Sequence, residues 1–345
     1  MNPSTPLSPH TLRPSSPVRN RVVTAAELRG HGVTTADANE RCRPGGPWQR
    51  ILPGVFLLRP GPPTPEERLQ AALLYAARTV AGIPAQPGSE EPRAPRPHPD
   101  ALITGLAALA LHGFAAAPPL LSLDTIDVLV PRLRRLRSTG CVRIVRTTVL
   151  PEPVFVAGVP VAAVPRALAD AAAELTDAAA VRELLTEAVR RGRCEPRAVV
   201  EELTAARLLG RPHLVDAVDA LVAEGRAIAE NRLYRMVLEH GLPDPVWNVD
   251  LRLPGGPYLG SLDAYWPEQA VAVELRTRTP RQDADAVRCE YARKREYLER
   301  LGITVVHITP RKLRDAMEQQ ATIVRTALMA ANDRDPAAYV VVRPR

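Results

Sequence analysis

Two carboxylates, Asp263 and Glu274, are the residues of this chain whose types and spacing point most directly to chemistry. Both fall in segments of strand-like composition, Tyr258–Tyr265 and Ala270–Thr277, joined by Trp266-Pro267-Glu268-Gln269. With those four residues as a turn, Tyr265 pairs with Ala270 and Asp263 opposes Ala272. Glu274 is then the diagonal neighbour of Asp263 on one sheet face, roughly 7–8 Å away. Side chains alternate along a strand, so Arg276 falls on that face as well. Carboxylates spaced in this way can share a divalent cation such as Mg2+, which activates water and stabilises charge developing at phosphorus. Glu230 could approach them from the preceding helical segment, AENRLYRMVLEHG. Arg276 works against a metal, because a guanidinium keeps its charge and forms ion pairs with carboxylates.

The elements that must hold these residues are legible as patterns. A helix ending at Gly241 precedes strand Trp247–Leu253, the turn Pro254-Gly255-Gly256 and the two strands above. A charged helix over 283–301 follows, with a mixed-sign solvent face that includes Arg293-Lys294-Arg295, and then an apolar strand, Ile303–Ile308. His307 within that strand reads as a satisfied core histidine. Helix, three-stranded antiparallel meander, helix and strand is the order of a restriction-endonuclease-like core. An aspartate on one strand with E-x-K on the next is the PD-(D/E)xK nuclease pattern, which this segment resembles at Asp263 and Glu274, with Arg276 in the lysine position.

At the other end, Thr24 and Glu27 stand at capping-box spacing ahead of a short helix, and Thr34 or Thr35 caps a second. Trp48–Leu52 and Val55–Leu58 then form a hairpin turned by Pro53-Gly54. Two helices and a hairpin are the layout of a winged helix-turn-helix, in which the second helix enters the major groove and the wing lies on the backbone. Thr35, Asn39, Arg41 and Arg43 would then meet groove and phosphates, with Arg50 on the wing. Further on, six arginines and no acid lie between Val128 and Leu150. Thr125–Val130 and Cys141–Thr147 read as strands of a hairpin there, presenting Arg132, Arg134, Arg135 and Arg137 to a polyanion. His112, before Gly113, reads as a helix-end cap.

Composition bounds these readings. At 345 residues the chain exceeds a single ordinary core. Its net charge of +7 suits a polyanionic partner such as duplex DNA. Of its 45 basic residues only Lys294 and Lys312 are lysine, a bias that lowers the weight of any single arginine. No apolar run spans a membrane, and no apolar stretch follows the early arginines, which predicts a cytoplasmic protein with no membrane partner. The four cysteines show no zinc-ligand spacing, and no P-loop or G-x-G-x-x-G is present. Pro and Ser mark a disordered lead-in at 1–20, and six prolines between Pro84 and Pro99 mark a linker at 82–99. The expected order is 21–81 winged helix-turn-helix, 100–224 central α/β and helical region, 225–331 restriction-endonuclease-like domain and 332–345 tail. The expected fold class is thus α/β multi-domain.

The succession TAAELRGHGVTTADANER … WQRILPGVFLL resembles the N-terminal domain of AbiEi-type antitoxins of type IV toxin–antitoxin systems. ALITGLAALALHGF, IDVLVPRLRRLRSTGCVRIVRTT and GVPVAAVPRALADAAAEL resemble the middle of actinobacterial proteins that join this module to a very-short-patch-repair-endonuclease-like domain. The resemblance implies operator binding, autoregulation and a cognate toxin protein as partner. Those relatives read like E-x-D-G and a histidine where this chain has Glu274-Leu275-Arg276-Thr277 and Pro280. The expectation is therefore a DNA-binding regulator or antitoxin-like protein with a degenerate nuclease domain and no cofactor. A Mg2+-dependent endonuclease in defence or repair, with Asp263 and Glu274 on the metal and Glu230 assisting, is the first alternative. A protein-interaction scaffold is the second.

Overall fold

A computed structural model describes residues 21–77, 100–277, 284–331 and 340–344. The lead-in, the proline-rich segment and Pro280 lie outside the described residues. Among the described residues the chain is α/β, with eleven α-helices and three sheets. It divides into two compact units, Met1–Leu184 and Leu185–Arg345. No helix among the described residues is long and apolar enough to cross a membrane.

The first unit opens with β1 (Val22–Thr24), α1 (Ala25–Gly30), α2 (Thr35–Arg41), β2 (Gln49–Leu52) and β3 (Val55–Leu57). The strands form an antiparallel sheet in the order β1-β3-β2. Thr24 closes a capping box with Glu27 on α1, and Thr34 closes one with Asp37 on α2. Each box satisfies helix-end N–H groups that water would otherwise have to cover. Val23, Leu28, Val33, Ala38, Trp48 and Phe56 form the small core beneath. It is extended by α3 (Pro65–Ala77), whose Tyr75 hydroxyl donates to the Arg137 carbonyl at 2.8 Å. From the same helix Arg68 donates to the Asp124 carbonyl at 3.0 Å.

A second sheet follows, built by β4 (Leu102–Thr104), β5 (Ile126–Pro131), β6 (Val142–Thr147), β7 (Val154–Val156) and β8 (Val159–Val161) in the order β6-β5-β4-β8-β7. Helices α4 (Gly105–Leu111) and α5 (Val164–Glu174) accompany it. His112 is the C-cap of α4, with Nε2 2.9 Å from the Ala162 carbonyl. The expected hairpin of β5 and β6 is corrected here, because the two strands pair in parallel. Parallel neighbours cannot be joined by a single tight turn, so residues 132–141 run back as a strap that opens in a turn closed by the Arg134 N–H on the Pro131 carbonyl and ends in a second turn between Thr139 and Val142. Arg143, from the same basic stretch, turns inward to form two 2.6 Å bonds to the buried Asp127 and a further pair with Glu174. Beside it Thr104 donates to Asp170 at 2.6 Å, and Arg166 pairs with the same carboxylate.

Helix α6 (Ala178–Arg190) leads into the second unit, followed by α7 (Pro196–Ala205) and α8 (Pro212–Glu239). The expected boundary at 224/225 falls inside α8, which passes through Gly225 unbroken. Gly225 meets a packing need there, since a Cβ would lie 2.5 Å from Pro196 Cγ. The sheet of this unit is β12-β11-β10-β9-β13, from β9 (Val246–Arg252), β10 (Tyr258–Trp266), β11 (Val271–Leu275), β12 (Thr304–Ile308) and β13 (Val341–Pro344). The tail thus adds an edge strand, antiparallel to β9. Ala229, Leu233 and Met236 of α8 pack with Trp266, Val271, Val273 and Leu275, joined by α11 (Met317–Ala331). A separate cluster sets Leu298 of α9 (Ala284–Arg300) against Val249, Leu251, Tyr265 and Ala272. Thr309 caps the short α10 (Pro310–Asp315) between β12 and α11.

Candidate functional site

Strands β10 and β11 pair as Trp266↔Val271, Tyr265↔Ala272 and Ala264↔Val273. Continued by one step, this register sets Asp263 directly across from Glu274, which corrects the expected diagonal. The turn lies one residue later than the sequence suggests, because Trp266 stays in the strand. Its ring is buried and its Nε1 donates to the Pro243 carbonyl at 2.8 Å. Ala270 closes the turn instead, at φ +48°. A turn shifted by one residue slides the register by two, so the carboxylates keep their common face and come closer.

Each carboxylate is held by neighbours from elsewhere in the unit. Asp263 accepts from the Leu275 N–H at 2.6 Å through Oδ2 and from Arg226 at 2.6 Å through Oδ1. Arg226 sits on α8, and its Nε also meets Glu230 Oε1 at 2.7 Å. Glu230 therefore does come toward the pair, with an arginine interposed. Glu274 Oε1 accepts from Lys294 Nζ at 2.6 Å, and Oε2 lies 3.3 Å from His307 Nδ1. Lys294 comes from α9 and also donates to the Ser261 carbonyl at 2.8 Å. Its stem lies over Gly260, where φ is +141° and a Cβ would stand 2.4 Å from Lys294 Cε. Only glycine leaves room for that approach.

The electrostatics of the two acids diverge. Burial pushes the Asp263 carboxyl above its ordinary range, against the downward pull of the Leu275 N–H and Arg226. Burial pushes Glu274 up as well, but His307 and Lys294 outweigh it and hold this acid below its ordinary value. Arg276 follows the end of β11, where its N–H donates to the Ile308 carbonyl at 2.9 Å and its side chain is exposed. Among the described residues no three His, Cys, Asp or Glu side chains converge as metal ligands.

Sequence reasoning misses Arg226 and underrates Lys294 and His307. The sequence predicts a satisfied His307, yet neither ring nitrogen has a well-formed hydrogen bond among the described residues. It stands beside Glu274 on the parallel neighbour β12. Lys294 does carry a signal: it is one of two lysines among 45 basic residues, so its type stands out against the bias of the chain.

In the first unit, α2 leaves Thr35 and Asn39 exposed, Arg43 is exposed just past its C-cap, and Arg50 is exposed on β2. Arg41 turns inward, its guanidinium 4.6 Å from the centroid of the Trp48 ring. The two acids of this helix are engaged locally, Asp37 in its capping box and Glu40 with Arg43 at 3.2 Å. Of the expected strap contacts, Arg132, Arg135 and Arg137 are exposed, whereas Arg134 pairs with Asp100 at 2.7 Å. No protein-family model matches the chain, and no curated protein matches it.

Proposed function

We propose that this protein is a DNA-binding regulator of the antitoxin kind, with a nuclease-like domain that has lost its metal. In this reading β1 to β3 with α1 and α2 act as a winged helix-turn-helix, and the second unit is restriction-endonuclease-like. The observation that carries the loss of catalysis is the engagement of both carboxylates. Asp263 is bound by Arg226 and the Leu275 N–H, and Glu274 by Lys294 with His307 alongside. A divalent cation would have to displace both cations to gain its ligands, so the residues as placed do not fit one. Duplex DNA as partner is supported by α2, which keeps Thr35 and Asn39 exposed, with Arg43 just past its end exposed and paired to Glu40. The antitoxin resemblance adds a cognate toxin protein as a second partner.

A Mg2+-dependent endonuclease is the second reading, favoured by one observation. Lys294 places an ammonium on Glu274, the group that Arg276 fails to supply in the strand motif. The DNA reading is tested by retardation of random-sequence duplexes across a salt series. The protein should bind at about 50 mM salt and weaken roughly a thousandfold by 200 mM, as released counterions require. Failure to retard any duplex at the lower salt favours the scaffold alternative.

A further inference from the structure

We infer that the strap over residues 132–141 is a minor-groove element of the DNA interface, with Leu133 as an apolar wedge and Arg132, Arg135 and Arg137 on the groove walls. This rests on the DNA reading above and adds a binding element to it. The topology makes the strap. Because β5 and β6 run parallel, the chain must return about 20 Å between them, and residues 132–141 cover that distance between a turn at either end. The strap is built rather than loose. Arg134 is fixed to Asp100, Leu136 is buried, Ser138 Oγ accepts from the Ile144 N–H at 3.0 Å, and Tyr75 holds the Arg137 carbonyl.

Anchoring 134 and 136 inward leaves Arg135 and Arg137 exposed between and beyond them, while Arg132 and Leu133 stand exposed in the turn that the Arg134 N–H closes on the Pro131 carbonyl at 2.9 Å. Leu133 is 93% exposed, the most exposed of the large hydrophobic residues among those described. Arg132, Arg135 and Arg137 have no acidic partner among the described residues. A bare leucine bracketed by unpaired arginines is ill suited to water and well suited to a narrow, strongly negative groove. There guanidinium groups follow the potential while an apolar side chain inserts between base steps. The location agrees. A side chain at Gly140 would lie 3.2 Å from Leu52 Cδ2, so the last residues of the strap lie against β2, the strand that carries Arg50. In homeodomains an arm of the chain enters the minor groove adjacent to the recognition helix, and a strap that begins in one turn and ends beside the hairpin can serve the same purpose. An anionic lipid surface would also welcome arginine and leucine, but it offers no reason for the strap to be anchored beside the hairpin.

The test uses the full chain and a duplex of about 30 base pairs, long enough to span a helix-turn-helix site and its flank, end-labelled so that energy transfer reports bending. Wild type, Leu133→Ala and the triple variant Arg132→Ala/Arg135→Ala/Arg137→Ala are compared, with unchanged melting temperature as the check on folding. Leu133→Ala should bind roughly tenfold more weakly, as expected for losing one buried leucine, and should leave the duplex straighter. The triple variant should lower the slope of log affinity against log salt by about 2–3, close to one for each phosphate that an arginine no longer neutralises. Variants that match a DNA-binding wild type in affinity, slope and bending overturn the strap's role and leave the DNA reading standing. A wild type that binds no duplex overturns both. Vesicles rich in phosphatidylserine form a third arm. Binding to them that Leu133→Ala abolishes, with DNA binding untouched, would reassign the strap to a lipid surface.

Discussion

Replacing Lys294 with methionine should lower the stability of the second unit by about 3 kcal/mol at neutral pH, a loss typical of removing one partner from a buried ion pair. The ammonium is largely buried and sits 2.6 Å from Glu274, which is itself buried. Without it, His307 alone is left to oppose the effect of burial on the carboxylate. The pH dependence separates this cause from a change in packing. In the wild type Glu274 is held below its ordinary value of 4.5, so the pair adds stability above pH 4.5 that is lost as pH falls through the lowered folded value. In Lys294→Met the carboxyl rises from that lowered value, so the stability gained as pH climbs through its titration should be smaller than in the wild type. The difference between their urea midpoints from pH 3 to 7 reports Glu274 together with Asp263, which feels its charge. Adding Glu274→Gln to the variant should recover much of the loss, because a neutral pair leaves no charge stranded. A variant equal to wild type at every pH would mean that the ion pair contributes nothing.

Arg143→Met should cost a similar amount, about 3 kcal/mol, in the first unit. This arginine belongs to the basic stretch that the sequence offers to a polyanion, yet it grips Asp127 with two 2.6 Å bonds and also pairs with Glu174. Burial already pushes the Asp127 carboxyl up, and Arg143 is its principal counterweight. Removing the counterweight raises it further. A folded value above the ordinary 3.8 means stability present below that pH and lost as pH rises through the folded value. The variant should therefore be closest to wild type in acid and furthest from it at pH 7. Hydrogen exchange at the amides of β4 and β5 would report the loss. If Arg143 served DNA instead, stability would be unchanged and affinity alone would fall.

The elements of the second unit could be read closely because each has a strong local pattern: a helix closed by Gly241, glycines at 255 and 256, and alternating apolar strands. The common face of Asp263 and Glu274 was legible for the same reason, since parity along a strand survives a shift of two. The register itself was not, because it depends on Trp266 being buried against Pro243, a contact across sequence that no local rule contains. Arg226, Lys294 and His307 reach the carboxylates from three other elements, and only tertiary packing brings them there. The basic stretch misled in a different way. Strand composition marked β5 and β6, but parallel or antiparallel pairing is a matter of topology, and it decides whether the arginines crown a turn or line a strap. The expected boundary at 224/225 fell inside a helix, because α8 runs on through Gly225, whose close approach to Pro196 leaves no room for a Cβ.

The central claim is that Asp263 and Glu274 belong to the chain's own cations and not to a metal. Isothermal titration of Mg2+, and then Mn2+, into the full-length protein tests it most directly, beside an Asp263→Ala/Glu274→Ala double variant. The account predicts no binding heat from either protein up to millimolar ion. Saturable binding by the wild type that the double variant lacks would contradict it, and would mean that Arg226 and Lys294 yield the carboxylates to a cation.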